Sequence, residues 1–308
     1  MHLSKIFKGI VNVTFNPDYR FMLFSGTKLY SKMPDIDFLK KKFQIIMGKE
    51  LNLEAPTTFN EKLQWLKLYN RNPEYTLLVD KYRVRDYIEK NFGSDYLIPL
   101  LGVWDNPNDI DFDKLPNKFV LKCNHNSGLG MCICKDKSKL DIKKVKKNLK
   151  KGLQQDYYLL HREWPYKNVP RKIIAEQYMC DSDYSDEFTD YKFFCFNGVV
   201  DSVMVCLERN TGNTKYYFFD ENWNLKRYNI LGKMAPDDFT IPKPPHLEEM
   251  FEMAKKISKN YPFARVDLYS TKDHIYFGEF TLFPDSGFDA NLLEETDLYF
   301  GSKLSLDI

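Results

Sequence analysis

Phe263-Ala-Arg265-Val-Asp267-Leu-Tyr269, followed after a Thr271-Lys-Asp turn by Ile275-Tyr-Phe-Gly-Glu279-Phe-Thr281-Leu282, decides how this chain is read. Side chains alternate across a strand, so Arg265 and Asp267 share one face, as do Glu279 and Thr281. Four polar groups then project between Phe263, Val266, Phe277, Phe280 and Leu282. Two carboxylates in such company are costly unless a cation or partner compensates them. Mg²⁺ takes hard oxygen ligands, usually one or two carboxylates with substrate phosphates completing the shell. A salt bridge from Arg265 on a solvated sheet face explains the same letters without a metal.

Upstream, Lys118-Phe-Val-Leu-Lys122-Cys123 predicts a strand that runs into Asn124-His-Asn126-Ser127-Gly128-Leu-Gly130. Glycines at 128 and 130 let backbone N–H groups approach phosphate oxygens, and Lys122 supplies countercharge. The spacing fits neither a Walker A loop nor a dinucleotide fingerprint, and a hairpin tip in need of glycines would look the same. Met131–Cys134 then returns as a second strand. Asp190-Tyr-Lys192 and Glu208-Arg209 flank Asn197-Gly198, a strong hairpin turn that sets Lys192 and Arg209 near one sheet surface; an exposed, salt-bridged hairpin is the plainer alternative. His125 sits in the glycine loop as a phosphate contact or a polar loop member. His161, His246 and His274 have no metal or triad spacing, and no serine lies in a nucleophile elbow.

Further out, Phe38–Ile46 has helical periodicity, and Thr58 with Glu61 forms a capping box that starts a helix running through Leu68. A second helix is expected from Tyr75 to Asn91, stopped by Gly93, and Leu97–Trp104 as a short strand. The lysines between Lys135 and Lys151 surround Leu140, Val145, Leu149 and Leu153 at near-helical spacing, which predicts an amphipathic helix with a solvated basic face. Lys172–Glu176, Lys215–Phe219 and the Asn197-Gly198 arms read as strands, Asp181–Asp186 as an acidic loop, and Leu247–Asn260 as a helix. The class is α+β, with antiparallel sheets in two lobes. The expected division is a helical N-terminal region over 1–115, a small lobe with the glycine loop over 116–180, and a large lobe with the metal site over 181–308.

Hydrophobic residues at 43% and charged residues at 29% are ordinary globular values, enough for a substantial core. A net charge of +2 from 45 basic and 43 acidic residues argues against a general nucleic-acid binder. Aromatic content of 16% reflects either codon bias or a carbohydrate-stacking surface. The six cysteines lie in apolar runs, and Cys132-Ile-Cys134 is too tight for a zinc pair. With no secretory leader evident, free thiols in a reducing cytoplasm are expected. No apolar run approaches the ~18 residues of a spanning helix, so a soluble protein is expected, with attachment to the inner-membrane surface left open.

Taken in order, these pieces resemble an ATP-grasp enzyme over about residues 76–300. Phe59-Asn-Glu-Lys-Leu-Gln-Trp-Leu-Lys67, Asp80-Lys-Tyr-Arg-Val-Arg85, Phe119-Val-Leu-Lys122, Asp190-Tyr-Lys-Phe-Phe-Cys-Phe-Asn-Gly198 and Arg265-Val-Asp-Leu-Tyr269 are similar to the teichuronopeptide-type (TupA-like) branch, from about residue 40 onward. The resemblance implies two α+β lobes clasping ATP. It implies that Lys122, Asn126, Ser127, Gly128 and Gly130 hold phosphates, with Lys81 or Arg85 adding a contact. Glu176, Gln177 and Tyr178 would meet adenine, and Asp267 and Glu279 would bind Mg²⁺. Thr281 stands where an asparagine ligand is usual. Lys192 and Arg265 would steady the transferred phosphoryl group, and Arg209 would grip an anionic substrate. The implied reaction joins a carboxylate to an amine through an acyl phosphate. The family is bacterial and associated with surface-polysaccharide synthesis, which suggests a uronic acid, free, nucleotide-linked or polymeric, and an amino acid or small amine. Two rivals remain: a glycosyltransferase, for which Asp181-Ser-Asp183 matches an Asp-x-Asp motif, and a non-catalytic nucleotide-binding scaffold.

Overall fold

β-Branched and aromatic runs close into two separate antiparallel sheets in the computed structural model, which describes residues 15–179, 189–208 and 212–306. The smaller sheet contains β1 (Leu100–Trp104), β2 (Phe119–Cys123), β3 (Cys132–Cys134) and β4 (Ile173–Gln177), in the order β1-β4-β2-β3. Along β2, Phe119, Leu121 and Cys123 are buried, and Val120 and Lys122 face the other way. The buried face packs on the basic helix Ile142–Gln154 through Val145 and Leu149. That helix starts where Asp141 accepts a hydrogen bond from Lys144 N, a side-chain cap for an otherwise unpaired N–H.

The larger sheet contains β5 (Asp190–Phe196), β6 (Val199–Leu207), β7 (Lys215–Phe219), β8 (Leu225–Lys226), β9 (Phe263–Ser270) and β10 (Ile275–Thr281), ordered β10-β9-β5-β6-β7-β8. Asn197 and Gly198 turn the β5–β6 hairpin with φ of 50° and 76°, the left-handed pair that a tight hairpin requires. One face of this sheet is covered by the helix Leu247–Ser258, where Phe251 meets Phe193 edge-on at 5.1 Å. The opposite face divides in two. Its apolar half, Phe194, Phe196 and Phe263, is capped by Phe59 and Phe300. Its polar half carries Lys192, Arg265 and Asp267.

Phe59 opens the helix Phe59–Tyr69, whose capping box forms as expected: Glu61 N donates to Thr58 Oγ1 at 3.3 Å, and Thr58 N donates to Glu61 Oε2 at 3.0 Å. The helix expected from Tyr75 to Asn91 is broken into Tyr75–Leu78 and Val84–Phe92. At the break, Asp80 Oδ1 accepts from Tyr82 N and Arg83 N, and Lys81 N donates across to the Asn124 carbonyl at 3.1 Å. A short polar side chain that bonds its own backbone competes with the helical ladder, and here the far end of β2 supplies the deciding partner. β1 begins at Leu100 rather than Leu97, which instead bridges to Phe277 of the large sheet. As β1 pairs with β4, residues of the small sheet lie ahead of position 116, within the segment expected to be helical. Among the described residues Cys123, Cys132, Cys134, Cys195 and Cys206 form no disulfide. No described helix is long and apolar enough to cross a membrane.

Candidate active site

Register brings the central residues together. Lys192 of β5 lies opposite Asp267 of β9, and Asp267 lies opposite Glu279 of β10. The second pairing depends on a bulge. Phe277 pairs with Leu268 on the core face, Gly278 is skipped, and Glu279 then pairs with Asp267 on the polar face. Such an insertion re-aims the side chains that follow it. Gly278 is suited to it, because a Cβ there would lie 2.7 Å from the Tyr269 ring and 3.1 Å from the Asp267 carbonyl.

Charges alternate across this strip. Arg265 grips Asp267 with two hydrogen bonds of 2.7 and 2.8 Å and donates a third, at 3.1 Å, to the Thr281 hydroxyl. Lys192 bonds Asp267 from the other side and pairs with Asp190 at 2.9 Å. Burial would lower the Lys192 pKa, but Asp267 and Asp190 outweigh it and hold the ammonium above its ordinary range. Glu279 is pushed up by burial and pulled down further by Lys81 and then Arg265, to about 2.

Lys81 comes from the helix break and spans the two sheets. Its Nζ donates to Glu279 Oε1 at 2.9 Å and to the Asn126 carbonyl in the glycine loop at 3.0 Å. Asp80 and Asn124 hold it there: Asn124, fully buried, donates to Asp80 Oδ1 at 2.7 Å and to the Pro170 carbonyl at 2.8 Å, and accepts from Lys172 N. Asn126 also donates to the Gly152 carbonyl and Gln155 Oε1, which pins the loop to the basic helix. Gly130, at φ 77°, passes so near that helix that a Cβ would meet Cys123 Sγ at 2.7 Å and Gly152 Cα at 2.9 Å. Gly128 is also left-handed, at φ 83°. On the small sheet, Lys122 pairs with Glu176 at 2.6 Å, and Arg85 reaches the same carboxylate at 3.5 Å and the Ile98 carbonyl at 2.9 Å. Gln177 is exposed at the end of β4, its N–H bonded to the Pro99 carbonyl, and the Tyr178 ring lies beneath Lys135. His125 is not a surface loop residue. It is buried against the Gln155 carbonyl, and burial lowers its pKa to about 4. Arg209 and Asp181-Ser-Asp183 lie outside the described residues.

A cavity of about 570 Å³ adjoins the strip and is lined by Ser127, Lys192, Arg265, Glu279 and Thr281 on one side. Its other side comes from residues that sequence reading did not single out: Tyr157, Glu163, Tyr166, Asp285, Ser286 and Asp289. Glu163 is 5% exposed and accepts the Ser286 hydroxyl at 2.5 Å. Pro284-Asp-Ser-Gly287 directly after β10 was a turn signal available in the sequence; Glu163 had none, because its partner stands 123 residues away. Asp285, Ser286 and Gly287 all adopt left-handed backbone. Buried Lys67 and Gln64 brace this turn, Lys67 Nζ donating to the Ser286 carbonyl at 2.5 Å and Gln64 Nε2 to the Gly287 carbonyl at 2.5 Å.

Asp267 and Glu279, opposed across one strand pair, are hard-oxygen groups of the kind that fit Mg²⁺ together with phosphates. Among the described residues no group of three or more acidic, histidine or cysteine side chains converges as a self-sufficient metal site, so ligands beyond the protein fit the chemistry of this pair. Two unequal antiparallel sheets with helices, joined where Lys81 bonds both the glycine loop beside the smaller sheet and a carboxylate of the larger, define an ATP-grasp protein. The chain belongs to the TupA-like ATP-grasp family, whose model matches residues 61–305. No curated protein matches it. Similar solved structures include D-alanine–D-alanine ligase from Bacillus anthracis complexed with ATP, at 14% identity over 92% of this chain and 88% of that one, TM-score 0.44. D-alanine–D-alanine ligase from Helicobacter pylori shares 17% identity over 80% and 69%, TM-score 0.40. D-cycloserine synthetase DcsG shares 12% over 74% and 69%, TM-score 0.41.

Proposed function

We propose that this protein is an ATP-dependent carboxylate–amine ligase that joins an amino acid or small amine to a uronic acid during synthesis of a bacterial surface polysaccharide. The observation that supports the reading is that Lys81 bonds both the glycine loop beside the small sheet and Glu279 of the Lys192–Asp267–Glu279 strip on the large one, next to a cavity of about 570 Å³. The uronic acid and the polysaccharide role follow from the family association, and a cytoplasmic location from the cysteines in apolar runs.

In the proposed reaction a carboxylate oxygen attacks the γ-phosphorus of ATP, the bond to ADP breaks, and an acyl phosphate forms. An amine nitrogen then attacks the acyl carbon, phosphate leaves, and the nitrogen gives up its proton. Negative charge develops on phosphoryl oxygens and then on a tetrahedral carbon, and fixed cations stabilise it without reorganising. Lys192 and Arg265, already oriented by Asp267, are those cations. Asp267 and Glu279 would hold Mg²⁺, which when bound neutralises β- and γ-phosphate charge, and the Thr281 hydroxyl accepts a hydrogen bond from Arg265. Lys122, Lys81 and the loop Asn126–Gly130 would hold phosphates, with Glu176, Gln177 and Tyr178 near adenine and Arg85 orienting Glu176. Acyl phosphates hydrolyse, so a cavity that closes over them favours the amine.

The test is mass spectrometry of products from purified protein, Mg·ATP and a library of uronic acids and amines. The expected result is amide product with stoichiometric ADP. Release of a nucleoside diphosphate from a sugar donor without ATP would replace this reading with a glycosyltransferase.

A further inference from the structure

The charged groups that line the cavity are not all paired alike. On the β9–β10 side each group is answered: Asp267 by Arg265 and Lys192, Glu279 by Lys81. Elsewhere in the lining, among the described residues, no ion pair reaches Glu163, Asp285 or Asp289. Lys67 stands behind Glu163, yet its three protons go to Gln64 Oε1, the His161 carbonyl and the Ser286 carbonyl. Among the described residues only Ser286 bonds the Glu163 carboxylate, through Oε1, and Oε2 has no hydrogen-bond donor. A carboxylate this buried with no cation in ion-pair contact is costly. Burial, against some relief from Lys67, raises the Glu163 pKa. The missing partner is a cation that arrives with a ligand. Among the described residues these carboxylates do not converge as a metal site. An ammonium satisfies separated oxygens one hydrogen bond at a time. Tyr157 and Tyr166, packed edge to face at 4.8 Å in the same lining, add ring faces that attract such a charge.

We infer that Glu163, flanked by Asp285 and Asp289, is the subsite that receives the protonated primary amine of the second substrate. The inference rests on the ligase reading and adds to it the direction in which the substrates lie: carboxylate against Lys192 and Arg265, amine against Glu163. It assigns the amine to a molecule that arrives as a cation, an amino acid or amino sugar rather than an amide or alcohol.

Calorimetric titration of the full chain tests this in two stages. Mg²⁺ with a non-hydrolysable ATP analogue is titrated first, and absence of binding there counts against the ligase reading itself. Glycine, ethanolamine and glucosamine are then titrated against glycolic acid, ethylene glycol and glucose. At least one amine should bind tenfold or more tightly than its hydroxyl counterpart. Glu163→Gln should weaken that amine at least tenfold and leave nucleotide affinity within twofold. Since Glu163 is buried, Asp285→Asn provides an exposed second variant, expected to weaken the amine severalfold. No preference for any amine, or equal amine affinity in both variants and the parent, overturns the subsite.

Discussion

Glu279 is ionised far below the usual carboxylate range only because Lys81 and Arg265 overcome its burial. Its charge is therefore set by the strip it belongs to, and Glu279→Gln should cut ADP release at least ~100-fold, the scale of a lost preorganised electrostatic contact, with an unchanged circular dichroism spectrum. Turnover like the parent's would remove Glu279 from the chemistry. Asp289 shows the opposite balance. Burial first, then the neighbouring charge of Asp285, raises its pKa from 3.8 to about 6. Between those values the folded chain holds a proton that the unfolded chain has lost. The contribution to stability is complete below pH ~4 and is lost as pH rises through 6. Asp289→Asn keeps an oxygen for the Asn291 N–H and removes that loss. Its melting temperature should exceed the parent's at pH 7.5 and match it at pH 4; a gain of equal size at both would assign the effect to packing. A cavity wall that gains stability on losing its charge is one kept for binding.

Elements whose determinants lie within a few residues were legible. Thr58 and Glu61 cap each other across one turn, and Asn197-Gly198 supplies its own left-handed backbone, so that helix and that hairpin stand where their letters put them. The alternation of Arg265 with Asp267 put both on one face for the same reason. The break at Asp80–Arg83 was not legible, because the locally favoured helix loses to Asn124, 44 residues away on another lobe. Glu163 and Ser286, likewise, read as ordinary polar letters until the fold joins them. The Gly278 bulge lies between these cases: a glycine inside a strand signals a bulge, but the pairing of Glu279 with Asp267 appears only with the register. Gly278→Val places a branched side chain against the Tyr269 ring and the Asp267 carbonyl. Overpacking of this kind costs about 1–3 kcal/mol. Turnover should fall more than the stability loss explains, because Glu279 shifts off its partner. A folded variant with parental turnover would show that the strip tolerates a different register.

At the scale of the whole molecule, Lys81 links the two sheets. Its backbone is tied to the small lobe at Asn124, its ammonium to the glycine loop at Asn126 and to Glu279 of the large lobe. One cation thus couples loop position to the state of the metal-binding carboxylate. Hydrogen bonds to charged groups contribute about 1.5–3 kcal/mol each, so Lys81→Met should weaken Mg·ATP binding roughly 10- to 100-fold. It should also speed hydrogen exchange across Asn126–Gly130 more than in β2, because the loop then keeps only the Asn126 amide contacts to Gly152 and Gln155. Adding Mg·ATP to the parent should slow exchange in the loop, and adding it to Lys81→Met should slow it less. If exchange in the loop is the same with and without the lysine, the Asn126 amide alone positions it, and Lys81 acts on Glu279 without joining the lobes.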